Sequence, residues 1–237
     1  MKKLIIASTS TLHGGSYLDY LLPDLKSFLG NVRELLFIPF ARPGGISHDM
    51  YTEKVADTFS NIEIAVKGIH EYADKNTALK EAQAIFTGGG NTFLLVSQLY
   101  DMNLMSLLSD VVANGTPYLG TSAGSNITGV SMKTTNDMPI IHPPSFTTLG
   151  LVPFNINPHY IESDGPAGHM GETREMRIRE FHVFNSEPVI GLREGSWLEV
   201  NGESIVLKGQ LSARVFCQGK EAVEVNPGTN LSDHLRA

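Results

Sequence analysis

Through the first two thirds of the chain, short apolar runs alternate with longer stretches whose apolar residues recur every three or four positions. Residues 4–7, 35–38, 84–86 and 117–119 are apolar throughout, which predicts strands buried on both faces, and residues 62–66 alternate like a further strand. Between them, leucines and tyrosines at 17, 18, 21, 22 and 25 predict a helix over 16–29, interrupted at Pro23 and stopped by Gly30. Ser47 is placed to cap a helix running to Phe59, on which Tyr51, Val55 and Phe59 lie four apart. Asn76 opens a short helix, and residues 93–108 read as helix in two pieces. Residues 149–152 look strand-like. Strand and helix repeating with short links implies crossovers, so the expected fold is α/β, a mostly parallel sheet with helices on both faces.

Near residue 186 the pattern changes. From Val189 to Val225 short β-rich runs are split by Gly195, Asn201-Gly202, Gly209 and Gly219, and Asn-Gly is a hairpin signal. With no linker before it, 188–226 reads as a C-terminal antiparallel β extension of one domain spanning 1–237. Residues 229–237 read as a loose tail or short turn, and no internal repeat or low-complexity segment is found.

Composition narrows the function. The 237 residues are 41% hydrophobic and 18% charged, enough for a large core and inconsistent with disorder. A net charge of −7 argues against a nucleic-acid partner, which needs a basic field. No apolar run approaches a membrane span, and the stretch after Lys2-Lys3 is too short for a secretory core. The single cysteine, Cys217, excludes an internal disulfide, so a cytoplasmic location is expected. Clustered cysteines and His-Glu-x-x-His are both missing, so no metal site and no cofactor are expected. Cys217, between apolar neighbours, reads as a buried small residue.

The sharpest motif is Gly120-Thr121-Ser122-Ala123-Gly124, which fits G-x-S-x-G directly after an apolar strand. A strand turning at once into a helix leaves little room for side chains and perches the central serine at the sheet's carboxyl edge, with the positive end of the next helix behind it. A small-residue turn with a capping serine is the plainer alternative. A second glycine turn, Thr87-Gly88-Gly89-Gly90-Asn91-Thr92, also joins a strand to a helix. It fails the dinucleotide fingerprint, because Phe93 stands where the last glycine belongs. It suits one half of an oxyanion hole, at Gly90, with the Ala123 N–H as the other half.

A serine nucleophile needs a base, and His159 follows Asn157-Pro158 where a strand's carboxyl end is expected; His13, His48, His70, His142, His169, His182 and His234 have no better claim. Two loop carboxylates are candidates to orient the imidazole: Asp137, otherwise an Asx-turn residue, and Glu194, otherwise a hairpin surface charge. Spacing does not decide between them. In residues 171–180, Glu175 and Arg179 have the spacing of a surface pair, while Arg174 and Arg177 share a face suited to gripping a carboxylate.

Taken together, Gly88-Gly89-Gly90-Asn91-Thr92-Phe93, the Ser122 bend, Thr134-Thr135-Asn136-Asp137-Met138-Pro139, Asn157-Pro158-His159 and Gly171-Glu172-Thr173-Arg174-Glu175 resemble the peptidase E family of α-aspartyl dipeptidases. The likeness runs to about Trp197, with the motifs in the family's order. Thr-Thr-Asn-Asp-Met-Pro is the most specific, since no general fold requirement explains it. The resemblance implies a class I glutamine amidotransferase-like (flavodoxin-like) fold, with serine in place of cysteine. It also implies hydrolysis of dipeptides with an N-terminal aspartate, without a cofactor, in the cytoplasm. It makes Ser122 the nucleophile, His159 the base, Asp137 the usual acid with Glu194 as rival, and Arg174 and Asn91 substrate contacts. The only partner implied is a small peptide; a homo-oligomer is compatible with the sequence. The chain departs from the family around Thr121 and Ser125 and in the loop 161–168. Two other readings are a cyanophycinase-like β-aspartyl hydrolase and a non-catalytic ligand-binding module in which Ser122 only caps a helix.

Overall fold

The computed structural model describes residues 1–162, 172–233 and 235; Gly171, His169, His234 and most of the 161–168 loop lie outside the described residues. In chain order the elements are β1 (Lys3–Ala7), α1 (Leu22–Leu29), β2 (Glu34–Ile38), α2 (His48–Ser60), β3 (Ala65–Gly68), α3 (Lys75–Glu81), β4 (Ile85–Thr87), α4 (Thr92–Asp101), α5 (Met105–Ala113), β5 (Tyr118–Thr121) and α6 (Ala123–Asn126). They continue with β6 (Asn155–Pro158), α7 (Arg174–Phe184), β7 (Val189–Leu192), β8 (Ser196–Asn201), β9 (Ser204–Gly209), β10 (Ala213–Phe216) and β11 (Val223–Val225).

Seven strands form the central sheet in the order β3-β2-β4-β5-β1-β8-β9. The first five are parallel, and β8 and β9 add antiparallel at the β1 edge. The mostly parallel α/β sheet expected from the sequence is therefore present. The expected β extension is divided rather than contiguous: β8 and β9 complete the central sheet, while β7, β10 and β11 join β6 in a second sheet ordered β11-β10-β7-β6.

Strand periodicity sorts the core onto two faces. Ile5, Ala7, Leu35, Phe37, Phe86 and Leu119 point to one side, where they bury Leu25 and Leu29 of α1 and Tyr51, Val55 and Phe59 of α2. Leu4, Ile6, Leu36, Ile38 and Ile85 point to the other, against α3, α4 and α5. That second cluster also takes in Ile156, Ile190, Leu192, Ala213 and Val215, so the two sheets share a core. Among the described residues no helix is long and apolar enough to cross a membrane.

Three elements differ from expectation. The first helix starts only at Leu22, because Leu18 takes a positive φ of 59°. Tyr17, Leu18 and Leu21 are buried all the same, so their spacing marked core positions in a turn. The third strand starts at Ala65, after Glu63 turns at φ 62°. Residues 149–152 form no strand; their N–H groups donate to the carbonyls of Ile127, Thr128 and Gly129 just beyond α6. The strand lies a few residues on, at β6, whose Asn155 and Asn157 alternate with Ile156 and Pro158.

Phe86 lies fully buried at the centre of this packing, with Phe37 and Phe59 rings at 5.1 and 6.0 Å. Phe86→Ala is expected to cost about 3–5 kcal/mol of unfolding free energy, read from urea denaturation midpoints at unchanged slope.

Candidate active site

At the end of β5 the backbone bends at Ser122, with φ 53° and ψ −111°, a conformation that L-residues rarely adopt. The flanking glycines are steric necessities. A Cβ on Gly120 would lie 2.5 Å from the Gly124 carbonyl oxygen, and one on Gly124 would lie 2.1 Å from that of Thr87. The neighbouring glycine turn leaves β4 just beside it. A Cβ on Gly89 would stand 3.0 Å from Ser122 Cβ, and one on Gly90 would strike the Ala41 carbonyl oxygen at 2.2 Å. Gly89 is thus the glycine packed on the serine, the site of its absent Cβ lying 3.6 Å from Ser122 Oγ. Among the described residues the N–H groups of Gly90 and Ala123 have no acceptor. Helix α6, expected to lend its dipole, has only four residues, so the Ala123 N–H itself is the stronger electrostatic contribution.

His159 follows β6 directly and also has a positive φ, 53°. Its Nε2 is 2.8 Å from Ser122 Oγ and its Nδ1 is 2.6 Å from Glu194 Oε1. Two groups hold it there. The His159 N–H donates to Ser8 Oγ at 2.8 Å, and Ser8 in turn donates to the Leu192 carbonyl at 2.7 Å, tying the ends of β1, β6 and β7 together. Glu194 stands on the tight turn that carries the chain from β7 in one sheet to β8 in the other, made possible by Gly195 at φ 89°. Arg193 anchors this turn through Glu224, Glu162 and the Ser212 carbonyl, with its guanidinium over the Tyr160 ring. The imidazole and Glu194 keep 33% and 46% side-chain exposure, so substrate can reach them.

The expectation that Asp137 orients the imidazole is corrected by the geometry. Asp137 Oδ2 accepts from the Thr92 N–H at 2.7 Å, Thr92 Oγ1 at 2.6 Å and Thr135 Oγ1 at 3.1 Å. It is a carboxylate on the first turn of α4, where free N–H groups and the helix dipole favour negative charge. The whole Thr134–Met138 stretch acts as a strap. Thr134 Oγ1 donates to the Ile156 carbonyl and Asn136 Nδ2 to that of Pro158, while Asn157 Nδ2 donates to Asn136 Oδ1. At its far end the Met138 carbonyl accepts from Asn91 Nδ2. The strap thereby joins the strand that carries His159 to the turn that carries Gly90.

Asn91 caps α4, with Oδ1 accepting from the Leu94 N–H; with Nδ2 also engaged, its side chain serves the turn. Arg174 is the first residue of α7, and its buried Nε has no hydrogen-bond partner among the described residues. Burial, then Arg177, lowers its pKa from the usual value, and the nearby Asp137 carboxylate opposes them. Arg179 makes the expected surface pair with Glu175 at 2.8 Å, and Arg177 lies 3.6 Å from Glu172. Sequence reasoning missed Ser8, whose only signal is a run of small hydroxyl residues after a buried strand. It also missed Tyr51, whose hydroxyl lies 3.3 Å from the Gly89 carbonyl. No group of three or more metal-ligating side chains is found among the described residues.

The model of peptidase family S51 matches residues 4–208. Peptidase E of Streptomyces coelicolor is 48% identical over 232 residues, covering 98% of this chain and 94% of that protein. The Drosophila melanogaster protein named "Probable alpha-aspartyl dipeptidase" is 43% identical over 234 residues, covering 98% and 96%. The crystal structure of a peptidase from an acI-B1 Actinobacterium superposes with a TM-score of 0.68 at 16% identity, covering 97% of this chain and 96% of the other, which shows a shared fold.

The geometry makes Asp137 a stability residue. Asp137→Ala is expected to lose about 1–2 kcal/mol through unpaired N–H and hydroxyl groups at the start of α4. Thermal unfolding should show the loss, with Glu194→Ala, an exposed residue, changing stability by less.

Proposed function

The chain belongs to peptidase family S51, and we propose on that footing that it is a serine exopeptidase releasing aspartate from the amino terminus of dipeptides. The observation that carries this reading is the hydrogen-bonded series Ser122–His159–Glu194 set beside free N–H groups at the sheet's carboxyl edge. A carboxylate on Nδ1 can only accept, so it holds the tautomer whose Nε2 is free to take the serine proton. Ser122 Oγ attacks the aspartyl carbonyl carbon as its proton passes to His159. The oxyanion is received by the N–H groups of Ala123 and of Gly90, in the peptide packed against Ser122. The imidazolium, balanced by Glu194, then protonates the leaving amine as the peptide bond breaks. Water repeats the sequence on the aspartyl ester and restores the hydroxyl. Nucleophile, base and acid all come from one chain, and none of these steps draws on a cofactor.

Arg174 is the proposed receptor for the substrate's aspartyl side chain. Its support is a buried, unpartnered Nε at the start of α7, close enough to Asp137 to feel its charge. Asp137 thereby gains a second role, favouring the charged form of Arg174 while securing α4. A cytoplasmic location is part of the proposal; the lone Cys217 leaves no intrachain disulfide to be lost in reducing surroundings.

Ser122→Ala should lower kcat/KM for Asp-Leu by at least about 10⁴-fold, with the protein still folded. Asn-Leu should be poorer than Asp-Leu by a factor on the order of 10³, because the amide leaves a desolvated guanidinium unpaired. Equal turnover of the two would remove Arg174 from the role. Glu194→Gln should cut kcat by roughly 10²–10⁴-fold with little change in KM, whereas Asp137→Asn should act mainly on stability and KM. Steady-state kinetics on the two variants decides between the carboxylates.

A further inference from the structure

A dipeptide that begins with aspartate carries two carboxylates, one on its side chain and one at its carboxyl terminus. A cation for each would let an enzyme select dipeptides over longer chains. Arg177, Arg179, Arg193 and Arg214 are paired with carboxylates. Among the described residues Arg33, Arg42 and Arg174 are not. Arg33 precedes β2 and so lies at the amino edge of the sheet, where its N–H donates to Gln83. Arg174 opens α7, and Arg42 follows β2, stacked on Tyr51, whose hydroxyl touches the glycine turn that borders Ser122.

Their surroundings differ. Arg174 feels the charge of Asp137, which is bonded to Thr92 at the far end of the turn. Arg42 follows Ala41, whose carbonyl accepts the Asn91 N–H at 2.7 Å and blocks any side chain at Gly90. Its guanidinium carbon stands 5.1 Å from the centre of the Tyr51 ring. The Tyr51 hydroxyl lies 3.3 Å from the Gly89 carbonyl oxygen, and Gly89 packs on Ser122. Stacking on an aromatic face and the restricted backbone before Pro43 both limit the freedom of Arg42 without neutralising it. In a dipeptide the terminal carboxylate carbon lies only about 4 Å from the scissile carbon, three covalent bonds away. A receptor for it must therefore border the serine.

We propose that Arg42, stacked on Tyr51 beside the glycine turn, binds the C-terminal carboxylate of the dipeptide and so limits the enzyme to short substrates. This rests on the aspartyl dipeptidase reading and adds to it a second anion site distinct from Arg174. Lys54, whose Nζ lies 4.9 Å from the centre of the neighbouring Tyr17 ring, is the nearest competitor for the role.

The test compares kcat/KM for Asp-Leu and Asp-Leu-amide in the parent protein and in Arg42→Gln, Arg42→Lys, Lys54→Gln and Arg33→Gln. The parent should prefer the free acid by roughly 10- to 100-fold, the range of a charge-assisted hydrogen bond. Arg42→Gln should bring that ratio to about 1, through KM for the acid, and Arg42→Lys should restore part of it. Arg33→Gln should keep the parent's ratio. A parent that cleaves acid and amide equally, an Arg42→Gln protein that keeps the preference, or a collapse in Lys54→Gln alone overturns the assignment while leaving the dipeptidase reading intact. A parent that cleaves neither substrate overturns both.

Discussion

The whole site depends on one steric constraint: strands β4 and β5 end side by side, and the two turns that leave them touch backbone to backbone. A Cβ on Gly124 would strike the Thr87 carbonyl oxygen at 2.1 Å, and one on Gly89 would press on Ser122 Cβ at 3.0 Å. That contact forces Ser122 into its bent conformation and turns the N–H groups at Gly90 and Ala123 away from internal acceptors. The strain at one residue, of order 1–3 kcal/mol, is held by a buried sheet on which β4 and β5 pair from Ile85 to Thr87.

Around that contact the second sheet and the Thr134–Met138 strap perform one task, fixing an imidazole over the serine. Helix α4 is fastened at its start to Asp137, and β6 is fastened to Thr134 and Asn136. The strap is thus a spacer of fixed length between the glycine turn and His159. Ser8 and the anchored Arg193 turn supply the remaining two fixings, one for the backbone of His159 and one for its carboxylate partner. Each is a hydrogen bond or ion pair between distant chain segments, which is how a half-exposed histidine keeps a single orientation.

Most of the central sheet was legible in the sequence because its strands are apolar on both faces, and helices α2, α4, α5 and α7 carried recognisable spacing or caps. The serine bend was legible because only small residues fit it. Strand β6 was not: Asn155 and Asn157 are buried there, at 0% and 4% exposure, and held by hydrogen bonds to the 131–136 segment that no local pattern announces. The choice between Asp137 and Glu194 was illegible for a related reason. Both are loop carboxylates, and which one meets His159 is set by the crossing of the chain from β7 to β8. The Thr-Thr-Asn-Asp-Met-Pro run stood out as specific without a reason; its side chains prove to be the strap's fastenings.

The tether at Ser8 reaches across 151 positions of sequence to His159, and Glu194 arrives 35 positions later still. The residues of the serine bend therefore precede in synthesis both His159 and the carboxylate that meets it. Until the β7–β8 turn has been made and docked, the hydroxyl has no orienting carboxylate behind its base. Alignment of hydroxyl, imidazole and carboxylate is thus a property of these long-range joins and not of the bend alone.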